Sequence, residues 1–115
     1  MTITIFHNPK CSKSRQTLEL LIKHGHEPII NEYLKTPPTK EKIKDILNKL
    51  GYTPRDLMRK KENIYIEKNL RDSSLTENFL IEFMAKHPIL IERPIVLTNE
   101  KASIGRPPEQ VLKIL

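Results

Sequence analysis

The first 33 residues write out a strand, a turn, a helix and a second strand, an order that leaves few folds open. Thr2-Ile-Thr-Ile-Phe6 alternates with the period of a half-buried strand. His7-Asn-Pro-Lys10 then supplies turn chemistry, because proline presets its φ and the asparagine side chain can bond its own backbone. From Ser12 the spacing becomes helical: Leu18, Leu21 and Ile22 are predicted on one stripe, Lys23 and His24 in the last turn, and Gly25 at the left-handed cap. Pro28-Ile-Ile-Asn-Glu-Tyr33 predicts a second strand, which closes a β-α-β unit and places Cys11 at or beside a helix N-terminus.

Beyond the Thr36-Pro-Pro-Thr39 break, Ile43, Ile46, Leu47 and Leu50 share one face of a helix that Gly51 ends. Thr53, Pro54 and Asp56 supply a cap, a first-turn proline and an acid three residues past the cap, so a short helix through Leu57 and Met58 should deliver Arg59 at its end. A further helix is predicted from about Leu75 to Lys86, with Leu80, Phe83 and Met84 inward, until His87-Pro88 stops it. Ile95-Val-Leu-Thr98, the Asn99-Glu100 turn and Lys101-Ala-Ser-Ile104 read as a hairpin, and Gly105-Arg-Pro-Pro108 introduces a last helix carrying Val111, Leu112 and Leu115. The order β-α-β, helices, β-β-α fits an α/β fold with a mixed sheet, since the crossover makes parallel neighbours and the hairpin antiparallel ones. At 115 residues, one domain spanning 1–115 is expected.

There is no apolar run near 20 residues, and Met1-Thr-Ile-Thr-Ile-Phe6 lacks the basic stretch and long apolar segment of an export signal. A soluble, cytoplasmic protein without a membrane partner is the expectation. Twenty Lys and Arg against fourteen Asp and Glu give a net charge of +6, which favours anionic partners. Lysines interspersed with acids, as in Lys40-Glu-Lys-Ile-Lys-Asp45, together with few aromatics, argue against nucleic acid.

Cys11 is the only cysteine, so no internal disulfide can form and any disulfide step must recruit an outside thiol. A lone cysteine can be one more small buried apolar residue. This one follows a strand, opens a helix and sits among polar and basic neighbours, which favours a reactive thiol. An ordinary thiol is only roughly 3% ionised at pH 7, and making it mostly thiolate takes about 2.7 kcal/mol of differential stabilisation. A helix N-terminus gives about 0.3 to 1 kcal/mol, or ~2 in a partly buried site, so nearby cations must contribute. Lys10, Lys13 and Arg15 flank the cysteine, and His7 stands four residues before it. A dithiol C-x-x-C mechanism is excluded because Ser14 occupies the resolving position. A phosphatase loop would want an arginine where Thr17 stands, one Cys and four scattered His make no zinc set, and three glycines are too few for a nucleotide-phosphate loop.

His7-Asn-Pro-Lys-Cys-Ser-Lys-Ser-Arg15 resembles the glutaredoxin-dependent arsenate reductase family, particularly its short bacterial branch. Tyr33-Leu-Lys-Thr-Pro-Pro38, Leu57-Met-Arg-Lys60, His87-Pro-Ile-Leu-Ile-Glu-Arg-Pro-Ile95 and Gly105-Arg-Pro-Pro-Glu109 extend the resemblance over nearly the whole chain. It implies a thioredoxin-like fold: a mixed four-stranded sheet with a helical insertion before the final β-hairpin. It implies reduction of arsenate to arsenite, with Cys11 attacking as thiolate, His7 assisting its ionisation, and Arg59, Arg93 and Arg106 clamping the oxyanion. Asn8, Ser14 and Arg15 are expected to support the loop, and Pro94 matches the proline that is cis beside the active site in this superfamily. Arginine's planar fork suits a tetrahedral oxyanion and its charge favours a neighbouring thiolate. Glutathione is the implied co-substrate and glutaredoxin the partner that clears the mixed disulfide, with no bound cofactor or metal and a monomeric protein expected. The chain departs from the family at Ser12-Lys13, where small residues such as Gly-Thr are common. Two other classes are an Spx-like redox regulator binding RNA polymerase, whose usual C-x-x-C switch Ser14 interrupts, and a glutathione-linked thiol protein without arsenate activity.

Overall fold

The computed structural model describes residues 2–115, and its sheet has the strand order β2-β1-β3-β4. β1 (Thr4–Phe6) pairs parallel with β2 (Ile29–Asn31) through the crossover helix α1 (Ser12–Lys23). On its other side β1 pairs antiparallel with β3 (Ile95–Leu97), which forms a hairpin with β4 (Ala102–Ile104). The strands are shorter than the alternating runs in the sequence, but their types and order are those the pattern predicts.

Register decides which side chains meet. Ile5 lies opposite Val96, so both emerge on one face, where they cluster with Ile3, with Leu21 of α1 and with Val111 of a C-terminal 3-10 helix, Pro108–Ile114. Leu18, Leu20, Ile114 and Leu115 pack around that cluster. Each fully buried aliphatic side chain contributes about 1.5–3 kcal/mol, which fixes α1 and the C-terminal helix to the sheet. One expectation fails here: Ile22 is 58% exposed. The buried stripe of α1 runs instead through Ser14, Thr17 and Leu21. Two of those three are polar, so an apolar count misplaces the stripe by about one residue and turns Ile22 outward.

The chain forms two compact units, one holding the sheet, α1 and the C-terminal helix, the other comprising Pro37–Glu92. In the second unit, α2 (Lys40–Leu50) is capped by Thr39, whose hydroxyl accepts from the Lys42 amide, and ends at Gly51 in the left-handed conformation (φ 69°). A 3-10 helix follows over Pro54–Leu57, where the Thr53 amide donates to Asp56 Oδ2 at 3.0 Å. Bonding to Thr53 holds the Asp56 carboxyl below its ordinary range. Met58 then leaves helical backbone and bridges Ile91, so Arg59 sits on an extended segment and not on the helix end that the sequence predicts. A short helix the sequence pattern does not announce, α3 (Asn63–Glu67), precedes α4 (Glu77–Lys86). α4 starts later than its apolar pattern because the Thr76 hydroxyl accepts from the Phe79 amide and caps it. α2 and α4 pack together, burying Ile43, Ile46 and Leu47 of the first and Leu80, Ile81 and Met84 of the second. Arg55 is half-buried and donates to the carbonyls of Leu70 and Asp72, tying down that turn. Among the described residues, no helix is long and apolar enough to cross a membrane.

Candidate active site

The loop between β1 and α1 is stitched by its own side chains. Asn8 Oδ1 accepts from the Lys10 amide at 3.0 Å, and the Asn8 carbonyl accepts from the Cys11 amide at 3.0 Å. This is the turn that the Asn-Pro dipeptide encodes. Arg15 Nη1 reaches back to the Pro9 carbonyl at 2.9 Å, closing the loop from the far side of the first helical turn. Cys11 therefore occupies the N-cap position of α1, next to the unsatisfied amides and partial positive charge of a helix start.

Cys11 is 9% exposed, yet its surroundings are not hydrocarbon alone: Arg106 Nη2 donates to Cys11 Sγ at 3.7 Å. This sets a cationic N–H donor directly against the sulfur. Arg106 is held in place by its neighbours, since its Nε donates to the Arg93 carbonyl at 2.8 Å. Immediately before it, the Gly105 amide donates to the Pro94 carbonyl at 3.0 Å. Gly105 also packs so closely on α1 that a Cβ there would overlap Thr17 Oγ1 and come to 2.9 Å from Pro94 Cγ. Only glycine permits that approach. The Arg93–Pro94 and Arg106–Pro107 peptide bonds are both cis.

Arg93 brings a second guanidinium to this unit. Its side chain is half-buried, and its Nε and Nη1 are buried without a hydrogen-bond partner among the described residues. Unsatisfied buried donors cost about 1–3 kcal/mol each, more for charged groups, so a cation in this state is a ready receptor for an anion's oxygens.

His7 is buried at the end of β1, its Nδ1 2.6 Å from Ser14 Oγ. The same Ser14 oxygen accepts from the Asn8 amide at 3.0 Å. Burial holds the His7 pKa below its ordinary value; the Glu32 carboxylate works against that shift and the Arg15 cation works with it. Among the described residues, no three His, Cys, Asp or Glu side chains gather into a metal site.

A model of the ArsC family matches residues 6–114. The chain belongs to the ArsC family. It is 54% identical to YfgD of Escherichia coli K-12, itself uncharacterized, over 98% of this chain and 96% of that protein. It is 47% identical to an arsenate reductase of Neisseria meningitidis serogroup A, over 98% of this chain and 97% of that one. Among solved structures, an arsenate reductase from Vibrio cholerae superimposes with a TM-score of 0.97 at 52% identity, covering 100% of this chain and 98% of the other. The thioredoxin-like fold with a mixed four-stranded sheet is thus that of the family.

Within this ArsC chain the structure brings together Cys11, Arg106, the Arg93 backbone and Pro94, and it joins His7, Asn8 and Ser14 in one hydrogen-bonded group. Arg59 belongs to the helical unit, where its Nη1 donates to Glu62 Oε1 at 2.6 Å and its Nε lies 3.9 Å from Glu92. Two further residues frame the site, Gly105 from the last motif and Thr17, which lies outside every motif. Thr17 is fully buried and donates to the Lys13 carbonyl at 2.8 Å, and Gly105 needs its missing side chain; a polar residue on the buried face of a helix is the one hint that sequence offers of Thr17.

Proposed function

We propose that this ArsC protein is an arsenate reductase that converts arsenate to arsenite through Cys11, with glutathione as co-substrate and glutaredoxin as the thiol that restores the enzyme. The observation that carries this reading is the Arg106 guanidinium 3.7 Å from Cys11 Sγ. Relatives named arsenate reductase, 47% identical over nearly their whole length, support the substrate class.

The chemistry follows from those groups. The Cys11 thiolate attacks arsenic; a sulfur–arsenic bond forms and one arsenic–oxygen bond breaks, the oxygen leaving as water once protonated. Arg106 and the partnerless donors of Arg93 bind the remaining oxygens and the charge that moves onto them. A glutathione thiol then attacks Cys11 Sγ: the disulfide forms as the sulfur–arsenic bond breaks, its electron pair stays on arsenic, which passes from the +5 to the +3 state, and the thiol proton goes to an arsenite oxygen. Arsenite departs, and a glutaredoxin thiol takes the glutathione from Cys11 by exchange. Each turnover consumes one arsenate and two thiols and yields one arsenite, one disulfide and one water. Asn8, Ser14 and Arg15 shape the loop that presents the thiol. The inclusion of Arg59 among the oxyanion ligands rests on its motif alone.

An assay coupling glutathione disulfide formation to NADPH oxidation through glutathione reductase, with glutaredoxin present, tests the reading. Arsenate-dependent NADPH consumption and arsenite release are expected, with loss of both in Cys11→Ser. Turnover that does not exceed an arsenate-free blank overturns the proposal.

A further inference from the structure

We infer that Ser14 holds His7 as the neutral Nε2–H tautomer, so that Nε2 offers the site a hydrogen-bond donor and no lone pair for the proton of Cys11. Ser14 lies in the first turn of α1 and is 0% exposed. Its hydroxyl has one proton to give and two lone pairs to offer. The Asn8 amide can only donate, so it occupies one lone pair, at 3.0 Å. The other polar atom bonded to this oxygen among the described residues is His7 Nδ1, at 2.6 Å.

Two arrangements of that short contact are conceivable. If Nδ1–H donated to Ser14, both lone pairs would be filled by donors and the hydroxyl proton would be orphaned in a place water cannot reach, at a cost of about 1–3 kcal/mol. If the hydroxyl donates to a bare Nδ1, every group is satisfied: the amide gives to oxygen, oxygen gives to the ring, and the ring's one proton stands on Nε2. The first objection applies equally to an imidazolium, which carries a proton on both nitrogens. A neutral ring agrees with the burial that lowers the His7 pKa against the opposing pull of Glu32.

The chemical consequence is a division of labour. In this neutral tautomer Nε2 carries a proton and Nδ1 is engaged by the Ser14 hydroxyl, so toward the site the ring donates a hydrogen bond and does not accept one. The groups set directly against the Cys11 sulfur are then the Arg106 guanidinium and the start of α1. Ser14 is in this sense a positioning residue, acting through His7. The location of the proton follows from the hydrogen-bond geometry alone; the use of that donor toward an arsenate oxygen rests on the reductase reading above.

Long-range proton–nitrogen correlation spectra of the full-length 15N-labelled protein at pH 7 test this, with His7→Gln identifying the resonances. His7 is expected to show an unprotonated Nδ1 and a protonated Nε2. His24 provides an internal contrast, because its Nδ1 lies 2.9 Å from the Leu20 carbonyl, which can only accept, and must carry a proton there. A His7 proton on Nδ1, or on both nitrogens, overturns the inference. Ser14→Ala is expected to release His7 into a mixture of tautomers; a Ser14→Ala protein that keeps the sole Nε2–H form would remove Ser14 from the account. Should that variant fail to fold, the wild-type spectrum still decides. No arsenate enters these measurements, so a protein without reductase activity would give the same tautomer, and the two proposals fail separately.

Discussion

Arg106 Nη2 lies 3.7 Å from Cys11 Sγ although 95 positions of chain separate the two residues. The length of the arginine side chain does not achieve this by itself. The segment carrying Arg106 is moored twice beside the sheet, by its own Nε to the Arg93 carbonyl at 2.8 Å and by the Gly105 amide to the Pro94 carbonyl at 3.0 Å. The loop carrying Cys11 is moored separately through Asn8. A donor fixed in advance needs no reorganisation to meet charge on the sulfur, which is what the proposed reaction asks of Arg106.

Removing that donor should lower thiol reactivity. Arg106→Ala is expected to slow alkylation of Cys11 by iodoacetamide at pH 7 by roughly tenfold, the equivalent of one charge-assisted hydrogen bond of about 1.5 kcal/mol. Arg106→Lys keeps the charge without the planar fork and should recover part of the rate. An alanine variant alkylated as fast as wild type would show that the contact does nothing for the sulfur.

At Gly105 the prediction concerns packing. Gly105→Ala drives a methyl group into Thr17 Oγ1 and against Pro94 Cγ, and should cost about 1–3 kcal/mol in urea unfolding. Thr17→Ala removes the nearest of the two obstacles, so the double variant should lose less than the sum of the single losses. Simple additivity would mean that the close approach is relieved elsewhere.

The buried His7 ties stability to acid. Its pKa is lower in the folded protein than in the unfolded chain, so the unfolded state binds more protons as the pH falls below about 6.5. The contribution of this residue is complete above that value and declines as the pH drops toward the folded-state pKa, after which it is constant. Comparing the pH dependence of unfolding free energy in wild type and His7→Gln should show a shallower acid slope in the variant over that window. Identical slopes would mean that His7 titrates alike in both states.

In the helical unit, the hydroxyls of Thr39 and Thr76 each satisfy one otherwise unbonded amide, of Lys42 and Phe79. Thr39→Ala and Thr76→Ala should each destabilise by about 1 kcal/mol, and amide hydrogen exchange should quicken first in the opening turn of the affected helix. Substitution by serine should restore most of the protection, since the capping oxygen returns.

Much of the fold is legible in the sequence because its signals are local. Gly25 and Gly51 stand where left-handed residues end α1 and α2, and both have positive φ. The Thr36-Pro-Pro-Thr39 break leads straight into α2, and the Ile95-Val-Leu core of the hairpin is β3. The readings that fail share a cause. The apolar side chain of Ile22 suggests an inward position, whereas the face actually buried is marked by Ser14 and Thr17, whose polarity conceals it. Met58 reads as helical because nothing within a few residues announces its bridge to Ile91.

The sequence by itself determined the kind of chemistry available: a single thiol at a strand-to-helix turn, with no second cysteine to resolve it and arginines beside prolines at both ends of a hairpin. Those facts depend on residue identity and short-range spacing, and folding cannot alter them. Tertiary structure alone decided that Arg106 donates to Cys11, that Arg93 keeps buried donors without partners among the described residues, and that the hydroxyl of Ser14 meets His7. Such contacts follow from sheet register and from which helix face is buried, quantities set by the packing of the whole core and therefore invisible in any short window of chain.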